Sequence, residues 1–197
     1  GIGESSPSTK LHLKLDTDKH IRFQGNIGEI GSVPGFQGTT DAGALTGLGM
    51  RGSDIRFAIG SSEAMRIDSS GRLLVGHTAT VDTSTFNSNL QIMGTDAHGS
   101  SATLGRFSAD ASSSSIHFSK SRDTTKGSHT IVADNDSCGN IFWWASDGVD
   151  YEQVAQIGAE IDGTPGSGDT PGALTFSTTA DGASTSGEKM RINSSGT

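Results

Sequence analysis

Apolar and polar residues alternate along this chain in short runs. Leu11, Leu13 and Leu15 are separated by His12 and Lys14, and Ile55, Phe57 and Ile59 by Arg56 and Ala58. A period of two puts such residues on one side of an extended strand. Further runs lie at Leu90 to Met93, Leu104 to Phe107, Ile116 to Phe118, Ile131 to Ala133, Ile141 to Trp144 and Ala173 to Ser177. Gly, Asp, Asn, Ser or Pro bounds each of them, as turns require. One stretch is ambiguous. Between Asp150 and Asp162, Val154, Ile157 and Ile161 fit helical spacing, but Ala155, Ile157, Ala159 and Ile161 also alternate. Gly158 in the middle and the turn Asp162-Gly163-Thr164-Pro165-Gly166 favour a strand. The pattern therefore predicts an all-β chain of many short strands.

A second pattern overlies the first. Glu63-Ala64-Met65-Arg66-Ile67-Asp68-Ser69-Ser70-Gly71 recurs as Glu188-Lys189-Met190-Arg191-Ile192-Asn193-Ser194-Ser195-Gly196, identical at seven of nine positions. Residues 1–10 begin Gly1-Ile2-Gly3, which reads as the end of a preceding joint of the same kind. Two β modules follow, 11–76 and 87–197, each ending in a joint, with a polar Thr-rich connection at 77–86. A repeat with open ends is the signature of an array or fibre. In an extended joint, Met65 and Ile67 share one side, as do Met190 and Ile192, while Arg66 takes the other. A single short strand cannot bury two such residues alone, but three copies around an axis can. Gly71 and Gly196 would then close tight turns, and Arg66 would face outward or meet an acid on a neighbouring chain.

Composition points the same way. Leu, Ile, Val and Phe number 38 of 197 residues, near the ~20% level below which a chain struggles to build its own core, and glycine numbers 28. Patterned but sparse hydrophobicity implies a core completed by copies of the same chain. The net charge of −8 disfavours nucleic acid as a partner. No apolar run reaches the ~18 residues that a spanning helix needs, and no signal segment precedes the first strand. The single Cys138 excludes an internal disulfide and any zinc site built on cysteines, and no Lys or Arg beside it would activate the thiol.

A further set of runs stands out: Arg106-Phe107-Ser108-Ala109-Asp110, Lys120-Ser121-Arg122, Gly127 to Val132, Gly139-Asn140-Ile141-Phe142, Ala159 to Gly166, Pro171-Gly172 and Phe176 to Gly182, closing on the second joint. Taken together, they resemble a module of bacteriophage tail-fibre and tail-spike proteins. The likeness covers Leu104 to Gly196 and the joints, whereas Asp16 to Ser53 matches only in style. It implies a short-stranded, intertwined homotrimeric fibre on the virion tail, made in the bacterial cytoplasm. Such a fibre contributes to extension and host-surface attachment. Its partners would be its own copies, neighbouring fibre segments and a host-surface glycan or protein. Many such proteins carry a helical, self-cleaving chaperone domain at their C-terminus, and nothing in this sequence resembles it.

Chemistry is sparse. Trp143 and Trp144 are adjacent and so face opposite sides of a strand, one toward a core and one toward a surface or interface. Trp144 and Tyr151 could stack on a sugar, with Asp147 and Asp150 accepting from its hydroxyls, although aromatics more often pack and Asp often just turns a chain. A glycan-binding or glycan-cleaving spike domain is the alternative reading. Hydrolysis would need two carboxylates across a groove, and no motif sets such a spacing for Asp147, Asp150 and Glu152. No nucleophile elbow or phosphate loop is present. The six histidines His12, His20, His77, His98, His117 and His129 form no chelating pair. One His per chain on a trimer axis could still make a three-nitrogen metal site, with His77, just after the joint, as the first choice. The expectation is a non-enzymatic chain with no cofactor and no metal.

Overall fold

In the computed structural model, side chains are described for Met50 and for residues 52–83 and 86–197. Before these, the backbone is described for four strands. Among the described residues the chain is all-β, with no helix. Contacts divide it into two units, Gly1–Ile55 and Arg56–Thr197. Residues 1–10, and with them the Gly1-Ile2-Gly3 half-joint, lie outside the described residues.

The first unit contains β1 (Leu11–Asp16), β2 (Lys19–Ile27), β3 (Val33–Thr39) and β4 (Leu45–Thr46), which form an antiparallel sheet in chain order. Its register sets Leu11 opposite Phe23, Leu13 opposite Ile21, and Phe23 opposite Phe36. The alternation of Leu11 to Leu15 announces β1. The strands β2 and β3 escaped that criterion because Gly, Gln and Asn interrupt their apolar positions.

A second sheet takes the order β5 (Ile55–Ile59), β6 (Ser62–Ile67), β7 (Leu73–Val75), β8 (Leu90–Ile92). The first joint is the antiparallel pair β6–β7, in which Met65 faces Val75, Arg66 faces Leu74 and Ile67 faces Leu73. β8 then adds parallel to β7, setting Leu73 beside Leu90 and Val75 beside Ile92. Residues that the repeat assigns to the second module thus extend the sheet of the first joint. Parity puts Met65, Ile67, Leu73, Val75, Leu90 and Ile92 on one face. The other face carries Arg66, Leu74 and Gln91. Leu74 is 1% exposed and Gln91 5%. The connection folds back over this second face. The Gln91 side chain accepts from the Val81 N–H and donates to the Val81 carbonyl, both at 3.1 Å. A buried amide satisfied at both ends holds the segment in place.

The third sheet is a meander of four longer strands in the order β12 (Ser186–Ile192), β11 (Gly172–Thr179), β10 (Tyr151–Ile161), β9 (Ser137–Ser146). The segment from Asp150 to Asp162 is the strand that its alternation and Gly158 predicted. Register lines up Ile141, Ile157, Phe176 and Met190 across the sheet, with Leu174 opposite Ile192 and Ala155 opposite Trp143. These residues share one face. The opposite face carries Asn140, Gln156, Glu160, Thr175 and Arg191, with Phe142 and Trp144 toward one end. It closes over itself: Thr175 and Ala173 are buried, and the Gln156 amide donates to Asn140 Oδ1.

Burial is inverted relative to a self-sufficient sandwich. Among the described residues only Leu74, Ile161 and Ala173 are buried hydrophobics, whereas eighteen large apolar residues stay exposed. The apolar face of the third sheet contributes Ile141, Trp143, Leu174, Met190 and Ile192 to that exposed set. An ordinary sheet buries its apolar face on another layer.

Between β8 and β9 no strand forms from Gly94 to Asp136. The runs Leu104 to Phe107, Ile116 to Phe118 and Ile131 to Ala133, which the alternation predicted as strands, find no strand partner among the described residues. Their apolar side chains stand out, Phe107 completely. A strand needs a neighbour to hydrogen-bond, and these runs have none here.

Candidate functional site

The two joints adopt the same turn. In the first, the Asp68 backbone N–H donates to the Arg72 carbonyl at 3.0 Å and the Gly71 N–H to the Asp68 carbonyl at 2.9 Å. Asp68 Oδ1 accepts from the Ser70 and Arg72 backbone N–H groups. In the second, Asn193 and Thr197 repeat the first contact at 3.0 Å, Gly196 and Asn193 the second at 2.9 Å, and Asn193 Oδ1 accepts from the Ser195 and Thr197 N–H groups. Only the acceptor oxygen is needed, so Asp and Asn interchange. The difference between the copies has a local cause. Asp68 Oδ2 takes the Arg72 guanidinium at 2.8 Å, whereas Asn193 is followed by Thr197, whose hydroxyl donates to Oδ1.

Gly71 and Gly196 sit at φ +80° and +81°, in the left-handed region that side chains resist. Gly71→Val should therefore destabilise the first joint by about 1–2 kcal/mol, read as a lower urea midpoint with an unchanged m-value.

The joint arginine also repeats. Arg66 grips both carboxylate oxygens of Glu63, and Arg191 Nε and Nη2 grip those of Glu188 at 2.9 and 2.8 Å. Residues three apart on a regular strand point to opposite sides. In the second joint a bulge between Phe176 and Ser177 brings two β12 residues against one, which returns Glu188 to the side of Arg191. The arginine meets an acid of its own strand, where the sequence suggested an outward position or a neighbouring chain. The invariance of Glu between the copies was the signal for this pairing. Arg191 further reaches Glu160 at 2.5 Å and Asp162 at 3.5 Å, and Asp162 Oδ2 accepts from the Ser194 backbone N–H at 2.8 Å. The second joint is thereby tied to the body of its sheet.

The apolar residues of the joints lie open. Met65 is half-buried, Ile67 is 39% exposed, Met190 51% and Ile192 45%. On the third sheet this face is continuous with a shallow apolar groove of about 450 Å³ between Trp143, Val154, Ile157 and Phe176. Nearby, the Phe118 side chain lies against Gly139, where any Cβ would collide with it.

The proposed sugar platform falls on the hairpin between β9 and β10. Register places Tyr151 opposite Ser146 and Trp144 opposite Gln153, so Trp144 and Tyr151 share a face. The Trp144 ring is engaged in packing. Its centroid lies 5.9 Å from that of Phe142 and 6.3 Å from that of Phe86, and the two phenylalanines are 6.0 Å apart. These are ordinary aromatic packing separations. Trp143 is the more open of the pair, at 46% exposure on the opposite face. Asp147 Oδ1 accepts from the Val149 and Asp150 backbone N–H groups at 2.7 and 2.8 Å, and Asp150 Oδ1 from the Tyr151 N–H at 2.7 Å. Both aspartates thus shape the turn.

Backbone donation, from Asp150 first and then Val149, holds the Asp147 carboxyl below its ordinary range. Asp136 is held far lower by the Arg122 guanidinium and the Ala133 N–H. Asp123 is lowered by Thr125 and Thr130, Asp162 by the Ser194 N–H and Glu188 by Arg191. A depressed folded-state value stabilises the fold above the unfolded value of about 4, and that contribution is lost as pH falls through the folded values. Stability should stay level between pH 7 and about pH 5 and decline below pH 4. Denaturation midpoints across that range check this, and Asp136→Asn should flatten part of the slope.

His77 Nδ1 lies 2.6 Å from the Ala79 carbonyl, and its buried Nε2 has no partner. Among the described residues no three His, Cys, Asp or Glu side chains converge as metal ligands, while the side chains of His12 and His20 lie outside those described. Cys138 is a half-buried free thiol whose Sγ lies 3.9 Å from the Asp136 carbonyl. No described helix is long and apolar enough to cross a membrane. Comparison with protein-family models and with curated proteins finds no match for the chain.

Proposed function

We propose that this chain is a segment of a homotrimeric β fibre of the phage-tail type, serving extension and host-surface attachment, with its chains meeting at the joints and along the apolar faces they border. One observation carries the reading: the apolar face of the third sheet, with Met190 and Ile192 at its β12 margin, is left open by its own chain. Leaving several large apolar side chains half in water forgoes roughly 1 kcal/mol or more for each, which a second layer would recover. Copies of the same chain supply that layer most simply, because the motif that borders the face recurs along the sequence. The unpaired runs between Leu104 and Ala133 and the free edges of β9 and β12 favour intertwining over simple face-to-face docking. The number three, the virion tail and the host surface come from the sequence resemblance.

Sedimentation equilibrium tests the assembly. The expected mass is three times 20.2 kDa, with no folded monomer on dilution. A folded monomer that persists at nanomolar concentration sinks the reading.

A further inference from the structure

The loop before β9 has a chemical character unlike the rest of the chain. Among the described residues, Arg56, Arg66, Arg72, Arg106, Arg122 and Arg191 each meet a carboxylate. No ion pair forms at Lys120, Lys126 or Lys189. Two of those three lysines line one concavity of about 420 Å³, formed by residues 119–129.

The loop is braced from outside. Arg122 holds Asp136, fourteen residues away, through Nε and Nη2, both at 2.7 Å. Ser121 accepts from the Asp123 and Thr130 N–H groups, which pins the two arms together. Asp123 is the one acid lining the hollow; its Oδ1 accepts from the Thr125 N–H and its Oδ2 from the Thr130 hydroxyl, which keeps it ionised but turned to its own loop. Lys126 Nζ, the His129 ring and the hydroxyls of Ser119 and Ser128 also line it and make no hydrogen bond among the described residues, while the Thr125 hydroxyl turns to Asp123. Lys120 gives only one bond, to the Ser121 carbonyl at 2.9 Å. A braced hollow with two lysines against one carboxylate that its own loop already engages suits an anion, and hydroxyls around it suit a polyhydroxylated carrier.

We infer that residues 119–129 form a binding site for an oxyanion, a phosphate or a carboxylate, borne on a saccharide-like ligand. The site deepens the attachment part of the fibre reading by naming its ligand chemistry, and rests on that reading only for its biological meaning. Its lining shares no residue with the Trp144 hairpin.

Isothermal titration of the native assembly with glucose 6-phosphate, glucuronate and glucose tests it. Saturable binding of one or both acids, absent with glucose, is expected, and the two acids tell phosphate from carboxylate. K120Q and K126Q together should weaken it at least tenfold, whereas K189Q, which removes the third unpaired lysine, should leave it unchanged. Raising salt from 50 to 300 mM should weaken it severalfold. Failure of both acids to bind, equal binding of glucose, or equal loss in K189Q overturns the proposal. Sedimentation of the same samples reports assembly separately, so an intact trimer without binding overturns this site and leaves the fibre standing.

Discussion

Ile192→Asp should convert the proposed assembly into dissociated, poorly folded chains. Ile192 lies on the apolar face of the third sheet, opposite Leu174, and is 45% exposed in the single chain. Covering the rest of its side chain is worth roughly 1 kcal/mol per copy. An unpaired carboxylate in the same place costs several kcal/mol more. In the proposed trimer, three copies would multiply the penalty to on the order of 10 kcal/mol, comparable to the whole stability of an ordinary domain. Sedimentation velocity at micromolar concentration should show the trimer boundary replaced by slower or aggregated species, with loss of the β signal in circular dichroism. Val149→Asp is the control. Val149 is 94% exposed at the tip of the β9–β10 hairpin, and a charge there should leave assembly intact. If Ile192→Asp sediments as the parent does, the open face is not where chains meet.

Leu74→Ala should destabilise the first joint by about 3 kcal/mol, from lost burial and the cavity left behind. Leu74 is the one large side chain fully enclosed among the described residues. It lies on β7 between Arg66 and Gln91, beneath the connection that Gln91 clamps at Val81. With Leu74 shortened, that clamp loses its floor. Amide exchange at Val81 and at Leu73 to Val75 should accelerate more than a hundredfold, matching that loss at 1.4 kcal/mol per tenfold, while exchange along β10 changes far less. Equal exchange at Val81 in both proteins would falsify the view that Leu74 and Gln91 form one latch.

Both experiments turn on the same property of the fold, that the joints carry apolar side chains on one face and a latched or salt-bridged arrangement on the other. The alternation of Met65 and Ile67 about Arg66 made the first part legible, because a period of two needs only local backbone geometry. The latch was not legible. Gln91 lies 25 residues beyond Arg66, and nothing in Leu-Gln-Ile says that its amide will find the backbone of Val81. The Glu188–Arg191 grip was hidden for a related reason. Their spacing of three places them on opposite sides of a regular strand, and only the bulge opposite β11 reverses this.

The aromatic hairpin shows the limit from the other direction. Adjacency alone put Trp143 and Trp144 on opposite faces, and the register agrees. Which ring would be engaged depended on Phe86, from the connection, arriving beside Phe142 and Trp144. Asp147 and Asp150 are turn-shaping acids in the structure, one of the two roles their positions allowed. Lys120 drew notice only as part of a resemblance, because its shared hollow with Lys126 appears only once the loop is folded.

By itself the sequence determined the secondary structure class, the two joints and their turns, and the face that their apolar side chains take. These depend on residues within a few positions of one another, where spacing and backbone preference suffice. The tertiary structure decided which apolar runs find a partner in the chain. The runs at Ile141, Ile157, Ala173 and Met190 build one sheet, whereas those at Leu104, Ile116 and Ile131 remain unpaired. Alternation records that a strand has a face to bury, but pairing is a long-range event set by register, bulges and available edges. It left the third sheet with its polar face closed and its apolar face open.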